Sequence, residues 1–176
     1  MKPAVFLDRD GILNEVIKRG DEIGSPRSVA ELTIVDEGKF LVEAAKKKGF
    51  FVGVVTNQPD VAKRKMYFND MEKINSRLLK EVPVDEIQVC TSGDERDYRK
   101  KPNPGMLFEL ANMHDLDLEV SYIVGDDAAD VEAGRRAGVK TILLCTDYNR
   151  EFHGAADHNF CSIREIVNFI SDLSLR

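Results

Sequence analysis

Four short runs in this 176-residue chain carry the side chains that phosphate and divalent-cation chemistry needs. The first is Asp8-Arg9-Asp10-Gly11, with Asn14 close behind; the second is Thr56-Asn57-Gln58. The third is Arg99-Lys100-Lys101-Pro102, and the fourth is Gly125-Asp126-Asp127 with Asp130 beyond. Taken singly, each has an ordinary explanation. A DxD after an apolar run makes a turn. A Gly-Asp-Asp before a helical stretch makes an N-cap with an acidic first turn. Thr56 can end a strand, and Lys101 can be a solvated loop charge. Together they say more. Carboxylates gathered at one place repel one another unless a cation joins them, and an all-oxygen site suits magnesium. A hydroxyl and an ammonium beside them would hold phosphate oxygens.

The elements between these runs explain how they could meet. Short β-branched segments at 4–7, 51–55, 87–90, 121–124 and 141–144 alternate with helically spaced stretches at 38–48, 67–80, 104–114, 128–137 and 163–173. In the last stretch Ile163, Ile166, Val167, Ile170 and Leu173 mark one helical face. This alternation predicts an α/β fold: a doubly wound parallel sheet, read as a single domain over residues 1–176 without a large cap. Gly49 and Gly138 each follow a basic helix end and are expected to be C-caps. Residues 15–35 are expected to form a long surface loop. In open parallel sheets ligands bind beyond the carboxyl ends of the strands, which is where all four runs fall.

Composition narrows the classes. A net charge of −6 argues against nucleic-acid binding, since phosphate backbones would be repelled. The N-terminus is charged too early for a signal peptide, and no apolar run approaches membrane-spanning length, so the expectation is a cytoplasmic protein without a membrane partner. Cys90, Cys145 and Cys161 are odd in number and widely spaced, so they are expected to be free thiols. The three histidines, His114, His153 and His158, have no metal spacing and receive no catalytic role.

The chain resembles the haloacid dehalogenase (HAD) superfamily of phosphatases. Its motifs appear in order as FLDRDG at 6–11, Thr56, Lys101 and GDDAAD at 125–130, across nearly the whole chain. Within that superfamily it is most similar to the histidinol-phosphatase and D,D-heptose 1,7-bisphosphate phosphatase group, through LDRDGILN at 7–14, SPRSV at 25–29, VTNQ at 55–58, KKPNPGML at 100–107 and VGDDAADVEAG at 124–134. The resemblance implies a nucleophile at Asp8 that becomes an aspartyl-phosphate, and an acid–base residue at Asp10. It implies magnesium held by Asp8, the backbone carbonyl of Asp10, and Asp126. It implies phosphate contacts from Thr56, Asn57 and Lys101, with Lys100 where the group usually has arginine. A small phosphorylated sugar such as a heptose bisphosphate is the implied substrate, with histidinol phosphate as the alternative. The basic cluster Lys63-Arg64-Lys65 is expected to meet a second anionic group, with Arg64 singled out.

The chain departs from the group in its loops. The group usually carries a structural zinc before the motif lysine, held by cysteines and a histidine. Residues 90–99 here keep only Cys90 as a plausible ligand, too few for a tetrahedral site. Pro59-Asp60 replaces the usual Ser-Gly, and Ile12 stands where Thr or Val is common. Specificity is assigned to loops 18–28, 60–67 and 91–100. Two other classes compete: a receiver domain that accepts phosphate without turnover, and an inactive relative serving as a binding protein. Against the receiver, the candidate nucleophile ends the first strand and has a second acid two residues on, where leaving-group protonation needs it.

Overall fold

The computed structural model describes residues 1–174. Its main sheet has six strands: β1 (Lys2–Leu7), β4 (Phe51–Asn57), β5 (Glu86–Cys90), β6 (Leu116–Gly125), β7 (Lys140–Leu144) and β8 (His158–Phe160). The intervening β2 (Ile17–Arg19) and β3 (Glu22–Gly24) form a separate antiparallel hairpin. The helices are α1 (Asp36–Lys47), α2 (Phe68–Glu81), α3 (Gly105–His114), α4 (Ala128–Ala137) and α5 (Ile163–Asp172).

The sheet is parallel throughout, in the order β5-β4-β1-β6-β7-β8. The period of two along β1 feeds both faces. Val5 and Leu7 pack with Leu41 and Val42 of α1, Leu78 of α2, and Ile166 and Ile170 of α5. Ala4 and Phe6 pack on the other face with Met106, Leu107 and Leu110 of α3 and Ala133 of α4. Burial on both sides is why these strands read as unbroken apolar runs.

The strand order turns back on itself at β1. From β1 the chain builds outward through β4 to β5, then returns to place β6 on the other flank of β1. The register pairs Leu7 with Val124, so Asp8 leaves β1 where Gly125-Asp126 leaves β6. The Asp8 N–H donates to the Val124 carbonyl at 2.9 Å, which continues the ladder to the site itself. This is the crevice at which doubly wound sheets bind ligands.

Three expectations need correction. Residues 15–35 are not a plain loop. They hold the β2–β3 hairpin, turned at Gly20 (φ +65°), and a short 3-10 turn at Val29–Glu31. Three-residue strands are too short to show an alternating pattern. β6 begins at Leu116, five residues before its expected start, because Leu116 and Asp117 pair with Lys2 and Pro3. β8 was also unforeseen; His158-Asn159-Phe160 mixes polar and aromatic residues, as suits an edge strand.

Candidate active site

At the carboxyl edge of β1 and β6, oxygens of Asp8, Asp126 and Asp130 lie within 4.8 Å of one another. Lys101 enters from the β5–α3 connection. Its ammonium is 3.0 Å from Asp8 Oδ1 and 2.6 Å from Asp130 Oδ1. The Arg9 N–H also donates to Asp8 Oδ1, at 2.8 Å. Asn57, at the end of β4, fixes the backbone of Lys101 at both ends. Its Nδ2 donates to the Lys101 carbonyl at 2.9 Å, and its Oδ1 accepts from the Lys101 N–H at 3.0 Å.

Electrostatics show what this cluster lacks. Burial pushes Asp8 up to about 7, helped by Asp130 and Asp10 and opposed by Lys101. Burial and then the charge of Asp8 push Asp126 up to about 7. Asp130 rises to about 6 through burial, against the pull of Lys101. Burial works against the Lys101 charge too, but Asp130 and Asp8 outweigh it and keep the ammonium protonated. Three carboxylates thus face one cation. Arg9 cannot help, because it is fully buried and engaged with Asp10 and Asn75. A divalent cation would close that balance, and the donor set, carboxylate oxygen only, fits a hard ion such as magnesium.

Asp10 sits in a different environment. Its carboxylate accepts from Asn14 Nδ2 at 2.9 Å, Ser25 Oγ at 2.8 Å, Gln58 Nε2 at 2.7 Å and the Arg9 guanidinium at 3.2 Å. Burial alone would raise it, but the Arg9 charge and these hydrogen bonds outweigh burial and hold it below the usual carboxylate range. Its side chain is therefore not in the carboxylate cluster. Two neighbouring carboxyl groups, Asp8 and Asp10, are pushed in opposite directions, the pattern that separates roles in an acid–base site.

The other proposed contacts divide. Asp8, Asp10, Asn57, Lys101, Asp126 and Asp130 all line one cavity of about 610 Å³. Thr56 is fully buried behind that wall, its Oγ1 accepting from Gln58 Nε2 at 2.8 Å. Lys100 is also buried and turned away, its ammonium on Glu95 and the Gly93 carbonyl. It braces the 93–95 loop, so its placement does not fit a substrate contact. Arg64 is exposed, has a left-handed backbone (φ +57°) and does not line the cavity; its neighbours Lys63 and Lys65 do. Three adjacent basic residues look alike in sequence, and no spacing rule tells which of them reach the cavity.

Several site residues escaped the sequence reading. Ser25 and Gln58 belong to the quoted SPRSV and VTNQ runs, yet only the fold shows that both reach Asp10. Tyr148 and Phe152 line the cavity from the β7–β8 connection, a segment given no role. The Tyr148 hydroxyl donates to Asp126 Oδ2.

The C-terminal part of the chain, residues 98–166, matches the HAD-hydrolase-like family model. A D-glycero-α-D-manno-heptose-1,7-bisphosphate 7-phosphatase from Burkholderia mallei is 33% identical over 157 residues, 82% of this chain and 80% of that relative. The D-glycero-β-D-manno-heptose-1,7-bisphosphate 7-phosphatase of Escherichia coli K12 is 31% identical over 81% of this chain and 78% of its own length. Among solved structures, a HAD-like phosphatase from Mesorhizobium loti superposes with a TM-score of 0.78 at 28% identity, covering 99% of this chain and 88% of that one. The D,D-heptose 1,7-bisphosphate phosphatase of B. bronchiseptica, complexed with magnesium and phosphate, shares the fold with a TM-score of 0.80 at 24% identity, over 96% and 97% of the two chains. With an intact acidic crevice and these relatives along most of its length, the chain belongs to the HAD-like phosphatases, in the group that contains the heptose-1,7-bisphosphate 7-phosphatases.

Proposed function

We propose that this phosphatase removes the terminal phosphate of a sugar bisphosphate through an aspartyl-phosphate on Asp8, with magnesium held by Asp8, the Asp10 carbonyl and Asp126. The carrying observation is the setting of Asp8. Lys101 and the Arg9 N–H engage Oδ1 in the crevice, while Oδ2 takes no hydrogen bond from the described residues. Oδ2 is the oxygen that attacks phosphorus. When bound, magnesium neutralises charge between the anionic nucleophile and the anionic phosphate. Lys101 holds a phosphate oxygen. Thr56, behind the cavity wall, accepts from the Gln58 amide and so steadies the group that donates to Asp10.

Asp10 serves both halves of the reaction. Its depressed carboxylate is a ready base for the water that opens the aspartyl-phosphate. The acid half needs a proton on Asp10. The incoming phosphate supplies the means, because a second anion nearby raises a carboxyl group's pKa. Replacing Asp8 by Asn removes the nucleophile and should lower kcat by orders of magnitude. Near-normal turnover in that variant would end the covalent scheme.

The bisphosphate assignment is supported by the relatives' names and by two cations. Lys63 and Lys65 line the cavity, and neither forms an ion pair with a described residue. The neighbouring Arg19 and Arg27 are already paired, with Glu31 and Asp60. Histidinol carries an amine that Lys63 and Lys65 would repel. The test is kcat/KM for a heptose bisphosphate, its monophosphate and histidinol phosphate. The bisphosphate should lead, and Lys63→Ala with Lys65→Ala should cut its advantage about tenfold, the worth of a single charge-assisted contact. Preference for histidinol phosphate, or an unchanged advantage in the double variant, defeats the assignment.

A further inference from the structure

The β7–β8 connection is fastened to Asp126 by two adjacent residues, one on its backbone carbonyl and one on its carboxylate. Asn149 is 2% exposed, and its Nδ2 donates to the Asp126 carbonyl and to the Leu144 carbonyl, each at 2.8 Å. Its Oδ1 accepts from the Thr146 N–H at 2.8 Å. This tie holds the next residue back along the chain, Tyr148, with its hydroxyl on Asp126 Oδ2. The opposite side of the contact is equally closed. A Cβ at Gly11 would come 2.0 Å from Asp126 Oδ2 and 3.1 Å from the Tyr148 oxygen. Only glycine lets the β1 turn, the Asp126 carboxylate and the tyrosine hydroxyl meet.

We infer that Tyr148 is a positioning residue for the cation site: it occupies Asp126 Oδ2, so Asp126 offers the ion Oδ1 alone and in a fixed orientation. The inference rests on the proposal that Asp126 binds magnesium. Tyr148 is suited to the task. A phenol hydroxyl donates one hydrogen bond, and here it donates it to Asp126 Oδ2. A free carboxylate rotates among several orientations and pays to be fixed when an ion arrives; one already hydrogen-bonded does not. Because the tie is made by Asn149, the segment 146–149 is a wall of the site as much as a connection between strands.

Tyr148→Phe removes only the hydroxyl, from a residue that is 38% exposed and so is not a core position. The probe is magnesium chloride, titrated calorimetrically into chelator-stripped protein without substrate. Loss of a hydrogen bond to a ligating carboxylate should weaken the magnesium dissociation constant at least about tenfold. In steady-state assays the magnesium concentration for half-activation should rise by the same factor, and kcat at saturating magnesium should fall by less. A wild-type protein that binds no magnesium, with Asp126→Asn behaving identically, overturns the cation assignment and this inference with it. Wild-type binding with unchanged or tighter affinity in Tyr148→Phe overturns this inference alone, tighter binding identifying the hydroxyl as a competitor of the ion.

Discussion

Lowering the pH should stabilise the metal-free protein, and magnesium should take the place of that effect. Asp8 and Asp126 stand at about 7 in the fold against 3.8 for the unfolded reference. Between those values the folded state holds protons that the unfolded state has released. Stability therefore falls as pH rises, and the fall is complete above about pH 7. The depressed carboxylates Asp10 and Asp157 act with the opposite sign, but only below the reference value of 3.8. Asp8 and Asp126 repel each other, so a single proton is counted for the pair. One proton over the interval from pH 7 to about pH 5.5 is worth ~2 kcal/mol, or about 4–8 °C in Tm for a chain of this length. At about pH 8, magnesium at a hundredfold excess over its Kd adds ~2.7 kcal/mol; at pH 5.5 it must displace protons and adds less. Thermal melts at both pH values, with magnesium or with chelator, measure all four corners. Asp126→Asn should flatten the metal-free difference. A metal-free Tm that is level or rising between pH 5.5 and 8, or an equal magnesium increment at both, would refute the charge-crowding argument.

Other outcomes follow from the same geometry. Asp10→Asn should reduce turnover about 10²–10⁴-fold on a sugar phosphate and much less on an activated aryl phosphate, whose leaving group needs no proton; equal losses would exclude the acid role. Arg9→Met leaves the Asp10 carboxylate buried without its cation and should cost ~3–5 kcal/mol in urea unfolding, whereas a loss under about 1 kcal/mol would show that Ser25, Asn14 and Gln58 suffice. Metal analysis of purified protein should find no stoichiometric zinc; one tightly held zinc per chain would contradict the reading of residues 90–99.

How much of this was legible depended on the kind of signal. Asp8, Lys101 and Asp126 could be found because each follows a strand, and parallel topology sends strand ends to a common edge. Once Leu7 pairs with Val124, the meeting of Asp8 and Asp126 is a matter of register. The strands and helices themselves showed because buried parallel strands and amphipathic helices leave periods of their own. Tyr148 and Asn149 left no such mark. Their roles depend on the path of a connection with no period, and on one buried amide that finds two carbonyls 5 and 23 residues away. The sequence could not rank Arg64 against its neighbours for the converse reason. Three adjacent basic residues look equivalent in sequence, but the backbone is left-handed at the middle one, and only its two neighbours line the cavity.

Asp130 shows why weighing an ordinary explanation against a functional one can pose a false choice. The run Gly125–Asp130 invited two accounts, a capped helix start or a cation site. The cap is present, and the acidic cluster is present beside it, on different atoms. Asp127 is the N-cap of α4, its Oδ1 accepting from the Ala129 N–H at 2.7 Å, and Asp130 returns the bond by accepting from the Asp127 N–H through Oδ2 at 3.3 Å. The other oxygen of Asp130 accepts from Lys101 at 2.6 Å. The cap therefore fixes the carboxylate that fixes the lysine, and the lysine reaches Asp8. Gly125 is required for this arrangement, since a Cβ there would fall 2.1 Å from Asp130 Oδ2. An Asn at 130 would keep an oxygen for the cap but lose the charge that holds Lys101. The helix should survive that change while Lys101 is left to Asp8 alone, drawing it tighter onto the nucleophile and away from phosphate. Asp130→Asn should therefore separate helix stability, read by thermal melts, from the proposed phosphate contact of Lys101, read by inhibition with inorganic phosphate; equal effects on both would refute the separation.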